Sequence, residues 1–145
     1  MPLYFAYGSN MSVEAMARRC PRSAVVGLAR LERHRLAAMR EGWLTAARAS
    51  RGAVHGVLWD LALSDLPALD RHEGPLYVKL AQPVVAPGGA KRALVYFGAN
   101  AGPGTLRPDY LAAVLAAARE RGLPGEAIAA LEAFGASPGR PGRGG

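Results

Sequence analysis

LYFAYGSNMS, residues 3 to 12, contains the change of pattern that decides how the fold begins. The aromatic and small apolar residues from Leu3 to Tyr7 favour a β-strand, and Gly8-Ser9-Asn10 favours a tight loop directly after it. Ser12 is a suitable N-cap for a helix, and Pro21 would end that helix. The first unit of the chain is therefore predicted to be a strand, a loop and a helix.

The rest of the chain adds strands in its middle and helices between and after them. Runs with strand propensity predict further strands over residues 24–28, 34–39, 53–61, 77–86 and 90–98. The last two are joined around Pro87-Gly88-Gly89, which favours a hairpin-like turn. Helical spacing of apolar residues predicts helices over residues 63–72 with Ser64 as N-cap, from Tyr110 to a stop at Gly122, and over residues 125–134. This order indicates an α+β domain with a mixed or mostly antiparallel sheet.

Length and composition predict one packed domain. The chain has 145 residues, half of them apolar and a fifth charged, which is the balance of a globular protein. We expect the domain to cover residues 1–136, because the segment 137–145, SPGRPGRGG, has no apolar side chain to bury and is predicted to be disordered. No apolar run approaches the roughly 18 residues of a membrane span, and no signal-peptide pattern stands at the N-terminus. The expectation is a cytoplasmic protein that does not enter a membrane.

Several kinds of site are excluded by the residues that the chain lacks. Cys20 is the only cysteine, so an internal disulfide is impossible, and its place at a predicted helix C-terminus raises the pKa of the thiol and favours a structural role. The histidines His34, His55 and His72 are too far apart in sequence for a local zinc motif. The glycine-rich stretch 98–105 lacks the lysine of a Walker phosphate loop. The sequence therefore predicts no metal site and no site of the Walker type.

The charge of the chain comes from arginine. The formal net charge is +7, with sixteen arginines against two lysines, which could indicate an anionic partner. These arginines are scattered, and the aromatic residues of a base-stacking surface do not alternate with them. An arginine-rich background composition explains the charge better than dedicated nucleic-acid binding.

Two places along the chain are candidates for chemistry. A loop between a strand and a helix, such as Tyr7 to Asn10, directs backbone N–H groups at one point and can bind an anion. The alternative is a tight turn that only caps the next helix. Glu73, followed by Gly74 at the end of a predicted helix, is either a solvated helix-end residue or a general acid/base. Asp70 lies one turn earlier, but no acid/base pair is evident, so a single carboxylate would have to act in both directions.

Three ordered motifs resemble the γ-glutamylcyclotransferase family: YFAYGSNMS at the N-terminus, LDRHEG in the middle and RPDY before a helix. GVLW at residues 56–59 is similar to the strand of that family before the catalytic helix, and RERGLP at residues 119–124 to its C-terminal helix ending. The resemblance covers most of the chain. It implies a small mixed, mostly antiparallel β-barrel flanked by helices, which agrees with the number of predicted strands.

The resemblance also assigns site residues. It makes Glu73 the general acid/base, and it makes the N-terminal loop a substrate loop whose shape Asn10 fixes. The substrate-binding residues that it implies are Tyr4, Phe5, Ala6, Tyr7, Gly8, Ser9, Asn10, Tyr77, Tyr96 and Tyr110. The spacing from Glu73 to Tyr77 is shorter here than in the vertebrate enzymes.

The implied reaction is an intramolecular aminolysis without a cofactor. The α-amine of a γ-glutamyl group attacks its own γ-carbonyl, which forms 5-oxoproline and releases the attached amine. The expected partner is therefore a small γ-glutamyl substrate. We expect the protein itself to be a monomer or a homodimer. The substrate is a γ-glutamyl amino acid, a γ-glutamyl amine or a γ-glutamyl cap on a biosynthetic intermediate. The competing hypothesis is a non-catalytic module that binds an anion or nucleic acid through the YGSN loop and a basic face.

Overall fold

The computed structural model describes residues 2–136, which form a β-barrel flanked by helices. The five strands within this range are β1 (Leu3–Ala6), β2 (Ala24–Ala38), β3 (Leu44–Asp60), β4 (Tyr77–Ala86) and β5 (Gly89–Gly98). They close in the order β1-β3-β2-β4-β5. The parallel pair of β1 with β5 closes the barrel, and the other neighbouring strands are antiparallel. The predicted α+β barrel, mixed and mostly antiparallel, is confirmed.

Four α-helices flank this barrel in the described part of the chain: α1 (Val13–Arg19), α2 (Leu66–Glu73), α3 (Pro108–Arg121) and α4 (Gly125–Ala136). Ser12 caps α1 as predicted, because its Oγ accepts a hydrogen bond of 3.1 Å from the backbone N–H of Ala15. Gly122 ends α3 in the left-handed conformation, with φ of 73°. The helices predicted around Tyr110 and at residues 125–134 are confirmed.

The predicted N-cap of α2 is wrong. Residues Leu63–Asp65 form a 3₁₀ turn that contains Ser64, and α2 begins only after it, at Leu66. The buried carboxylate of Asp65 accepts hydrogen bonds of 2.9 Å from the Arg22 N–H and the Ser23 hydroxyl. Asp65 therefore ties the start of α2 to the segment between α1 and β2, which is a tertiary role that a local capping pattern does not reveal.

The three strands predicted between residues 24 and 61 are in fact two long ones. β2 and β3 pair along their lengths, with shifts of register between Val25 and Gly27 and between Glu32 and His34. Arg33 lies at the second shift with a positive φ of 60°. The arginine-rich segment between the strands predicted at 24–28 and 34–39 is thus a bend within a continuous strand pair.

Gly56 on β3 leaves the space in which the backbone of β1 lies. A Cβ atom on Gly56 would collide with the carbonyl oxygen of Ala6 and would lie 2.9 Å from the ring of Phe5. Only glycine therefore allows β1 to lie in this place, directly before the YGSN loop. Phe5 is fully buried among core residues of β3 such as Val57 and Leu58.

None of the helices described between residues 2 and 136 is long and apolar enough to cross a membrane. The predicted disorder of residues 137–145 lies outside the described residues.

Candidate active site

A cavity of about 440 Å³ lies where the YGSN loop, the end of α2, the turn before β3 and the start of α3 meet. The predicted site residues that line it are Tyr4, Phe5, Tyr7, Gly8, Ser9, Asn10, Glu73, Tyr77, Tyr96 and Tyr110. Ala6 is buried in β1 and does not line the cavity. The lining residues that the sequence analysis did not propose are Arg19, Trp43, Leu44, His72, Leu76 and Ala113.

The YGSN loop is fixed by a single turn and by contacts with its surroundings. The N–H of Met11 donates to the carbonyl of Gly8 at 3.1 Å, and the indole N–H of Trp59 donates to the carbonyl of Asn10 at 3.1 Å. A Cβ atom on Gly8 would lie 3.0 Å from the hydroxyl of Tyr110. Any side chain at position 8 would therefore reduce the space between the loop and α3.

Asn10 connects this loop to Glu73. Its Nδ2 donates to the hydroxyl of Tyr4 at 3.0 Å and makes a long contact of 3.5 Å with Oε2 of Glu73. On the other side, Nη1 of Arg19 donates to Oδ1 of Asn10 and, at 3.4 Å, to Oγ of Ser9. Because an arginine can only donate, it fixes the orientation of the Asn10 amide with the NH₂ group toward Glu73.

Glu73 is partly buried and ionises near neutral pH. Burial raises the pKa of its carboxyl from 4.5 to about 7, and the charge of Asp70 adds to the rise, while the guanidinium of Arg19 acts in the opposite direction. Glu73 is also the last residue of α2, where the helix dipole disfavours a negative charge. A group with this pKa can both accept and return a proton at pH 7.

The tyrosines form neutral walls around Glu73. The hydroxyl of Tyr7 donates to the carbonyl of Tyr96 at 2.5 Å, and the hydroxyl of Tyr77 donates to the carbonyl of Leu44 at 2.7 Å. Burial raises the pKa of Tyr110 to about 12 and holds the pKa of Tyr7 and Tyr77 higher still. These hydroxyls therefore stay protonated near pH 7, and Glu73 rather than a tyrosine can exchange protons there.

Asp70 lies beside this cavity but is already paired. Its Oδ1 accepts a hydrogen bond of 2.5 Å from the hydroxyl of Tyr96, and its Oδ2 forms an ion pair of 3.1 Å with Lys79. Desolvation acts to raise the pKa of the Asp70 carboxyl, but the hydrogen bonds from Tyr96 and Lys79 and the charge of Lys79 together outweigh it, so this pKa is lowered. Asp70 therefore remains charged, holds Tyr96 in place and favours the protonated form of Glu73.

Among the described residues, His72 is the one histidine that lines this cavity, and Cys20 does not line it. Cys20 is buried at the end of α1, and burial, followed by the nearby Asp65, raises the pKa of its thiol to about 11. The direction agrees with the prediction, but burial is the main cause. His72 lines the cavity as a neutral ring, because burial and the charge of Arg19 lower the pKa of its imidazole. Across residues 2–136, no three His, Cys, Asp or Glu side chains converge on a position for a metal ion.

Glu73→Gln is expected to stabilise the fold at alkaline pH. The folded protein holds the Glu73 proton more tightly than the unfolded chain, so stability falls as the pH rises from 4.5 through about 7. The variant avoids this loss, and its free energy of unfolding at pH 8 should exceed that of the parent by about 1 to 3 kcal/mol. Urea unfolding at pH 5 and pH 8 measures the difference, which should be small at pH 5. An equal effect of the exposed control Glu120→Gln would contradict this explanation.

Fold and site together define a class of small α+β barrel proteins with a single ionisable carboxylate facing a strand-loop-helix turn. A model of the family described as "Gamma-glutamyl cyclotransferase, AIG2-like" matches residues 4–114 of this chain. The γ-glutamylcyclotransferase of Homo sapiens is 30% identical over 146 residues, which cover 91% of this chain and 78% of that protein, and the Mus musculus protein gives the same values. A solved structure of a γ-glutamyl cyclotransferase superposes with a TM-score of 0.81 at 29% identity, covering 91% of this chain and 86% of that one. The chain belongs to the AIG2-like γ-glutamyl cyclotransferase family.

Proposed function

We propose that this protein is a cyclotransferase that releases 5-oxoproline from a γ-glutamyl compound. The observation that carries the proposal is that the partly buried Glu73 faces the YGSN loop across one cavity. The pKa of its carboxyl, about 7, suits proton exchange near neutral pH. Asn10 joins the two, with contacts to both Glu73 and the wall of the cavity. The family to which the chain belongs, and relatives named γ-glutamylcyclotransferase, support the same chemistry.

The proposed reaction begins with the α-ammonium group of the substrate. Glu73 accepts a proton from it, and the free amine attacks the γ-carbonyl carbon, which forms the ring C–N bond and a tetrahedral oxyanion. Glu73 then returns that proton to the leaving nitrogen as the original C–N bond breaks and the γ-carbonyl reforms. The ring nitrogen gives up its second proton in the same step, and Glu73 passes it to the released amine. The products are 5-oxoproline and the amine in its ammonium form, so the reaction balances without a cofactor. General acid/base catalysis of this kind contributes about 10² to 10⁴ in rate.

The YGSN loop has two ways to assist this reaction. Its backbone N–H groups stand between the end of β1 and the start of α1, which favours binding of a negative charge. That charge is either the α-carboxylate of the substrate or the oxyanion that forms at the γ-carbon. In both cases Gly8 leaves the space that the substrate needs beside Tyr110.

Arg19 is proposed to position Asn10 and to tune Glu73. Arg19→Gln should move the acidic limb of the kcat/KM profile to higher pH, because the positive charge that opposes the rise in the Glu73 pKa is lost. Activity at pH 6 should therefore fall by about 3- to 10-fold more than activity at pH 8. Arg19→Lys keeps the charge but not the planar fork, so it should keep the pH profile while lowering kcat. A limb that does not move in Arg19→Gln would contradict this role.

The test of the proposed function is direct measurement of the product. The purified protein is incubated with γ-glutamyl dipeptides and γ-glutamyl amines, and 5-oxoproline is measured by liquid chromatography. Release of 5-oxoproline from at least one compound, with kinetics that saturate, is the expected result. Binding of these compounds without any release would contradict the proposal and favour a non-catalytic binding module.

A further inference from the structure

The cavity extends beyond the residues that the proposed proton transfer uses. From Gly8 the wall continues to the hydroxyl of Tyr110, and the Tyr110 ring packs edge-to-face against Trp43 with 5.1 Å between ring centres. Ala113 follows on the next turn of α3, and Tyr77 reaches the carbonyl of Leu44 at 2.7 Å. We call this part of the wall the apolar subsite, formed by Trp43, Leu44, Leu76, Tyr77, Tyr110 and Ala113.

The two parts of the cavity differ in charge. The charged lining side chains, Arg19 and Glu73, belong to the network around Asn10. The apolar subsite contains no charged side chain, and the hydroxyl of Tyr77 already donates to a backbone carbonyl. A ligand in this subsite therefore contacts aromatic rings and aliphatic groups, which favours apolar chemistry over a charged chain end.

Trp43 is held in place by the protein itself. The guanidinium of Arg107 lies over the Trp43 ring at 4.4 Å from its centre, and Nε of Arg107 donates to the carbonyl of Glu41 at 3.1 Å. The carboxylate of Glu41 accepts in turn from Asn100 at 2.9 Å, and the N–H of Arg107 donates to the carbonyl of Gly42 at 3.1 Å. Because the Trp43 ring is already ordered before a ligand binds, binding does not include the entropy cost of fixing this side chain.

We propose that the apolar subsite binds the side chain of the leaving group, and that among γ-glutamyl amino acids the preferred substrates are those with a large apolar or aromatic side chain. This inference rests on the proposed function, because it places the γ-glutamyl group at the YGSN loop and Glu73. The leaving amine then points from the loop toward Tyr110 and Trp43. Leaving groups that are small, acidic or terminated by a second ammonium group make fewer contacts there.

The test compares leaving groups within one γ-glutamyl series. The value of kcat/KM for γ-glutamyl-phenylalanine and γ-glutamyl-leucine should exceed that for γ-glutamyl-glycine and γ-glutamyl-glutamate by about 10- to 100-fold. Trp43→Ala should lower the phenylalanine-to-glycine ratio by about 10-fold, and Trp43→Phe should restore most of it. Leu63→Ala, which truncates an apolar side chain exposed outside the cavity, should leave the ratio as it is. Equal values for all leaving groups, or equal losses for all of them in Trp43→Ala, would overturn the inference.

A binding measurement separates this inference from the proposed function. Calorimetric titration of Glu73→Gln with the same compounds gives a ranking of Kd that does not depend on turnover. If no compound releases 5-oxoproline but the phenylalanine compound still binds at least 10-fold more tightly than the glycine compound, the proposed function fails and the subsite stands. If turnover occurs without any such ranking in Kd or kcat/KM, the subsite fails and the function stands.

Discussion

Glu73→Gln is expected to lower kcat for 5-oxoproline release by about 10² to 10⁴. Glutamine keeps the shape of the side chain and can contact Asn10, but it cannot accept the proton of the substrate ammonium group. The value of KM should change much less than kcat, because the YGSN loop and the aromatic walls still bind the substrate. Steady-state kinetics with the best γ-glutamyl compound, at pH 8, measure the two constants.

Two controls make this result specific to Glu73. Glu120→Gln makes the same chemical change at an exposed position of α3 and should retain the parent activity. Urea unfolding of Glu73→Gln shows whether the variant is folded, and the ionisation of Glu73 described above predicts that it is at least as stable as the parent. If folded Glu73→Gln keeps more than about a tenth of the parent kcat, Glu73 is not the general acid/base.

Gly56→Ala is expected to destabilise the protein by about 3 kcal/mol, which is at the upper end for overpacking of a core. The added Cβ meets the backbone carbonyl of Ala6 and the ring of Phe5, and neither can move without shifting β1. For a domain of this size, the melting temperature should fall by roughly 10 °C. Thermal unfolding followed by circular dichroism measures the change.

The matched control for this prediction is Gly125→Ala. Gly125 is the first residue of α4, and no neighbouring atom lies within 4 Å of the position of an added Cβ. Alanine also favours the helical backbone, so this variant should be as stable as the parent or slightly more stable. A loss of stability in Gly125→Ala equal to that in Gly56→Ala would assign the effect to glycine content rather than to the contact with β1.

Much of the fold could be predicted from local patterns. The hairpin of β4 and β5 and the cap of α1 by Ser12 each depend on residues close in sequence. The predictions of secondary structure were wrong where contacts between residues distant in sequence determine the local conformation. Arg33 interrupts the strand pattern by its positive φ, yet pairing with β3 continues on both sides of it. Ser64 does not cap α2, because the helix begins only after Asp65, and the Asp65 carboxylate accepts hydrogen bonds from Ser23 and Arg22 instead of capping the helix.

The candidate site could be predicted only in part. From spacing alone, the YGSN loop could be a turn that only caps the next helix, and Glu73 could be a solvated helix-end residue. Only the resemblance to a family predicts that the two belong to one site. Arg19 was missed because a basic residue in the last turn of a helix ordinarily interacts with the helix dipole, and only the folded chain turns it toward Asn10. Trp43 gave a weak signal, since a tryptophan directly after Glu41-Gly42 in a polar turn is unusual, but nothing local related it to Tyr110.

The contacts of Asn10 have a consequence for protein design. The loop obtains its shape from Trp59 on β3, its orientation from Arg19 on α1 and its contact with the base from Glu73 on α2. Four residues copied into another scaffold would lose all three supports. A functional graft would have to transplant Trp59, Arg19 and Glu73 together with YGSN, so the smallest portable unit is the loop with one residue from each of three other elements rather than a linear motif.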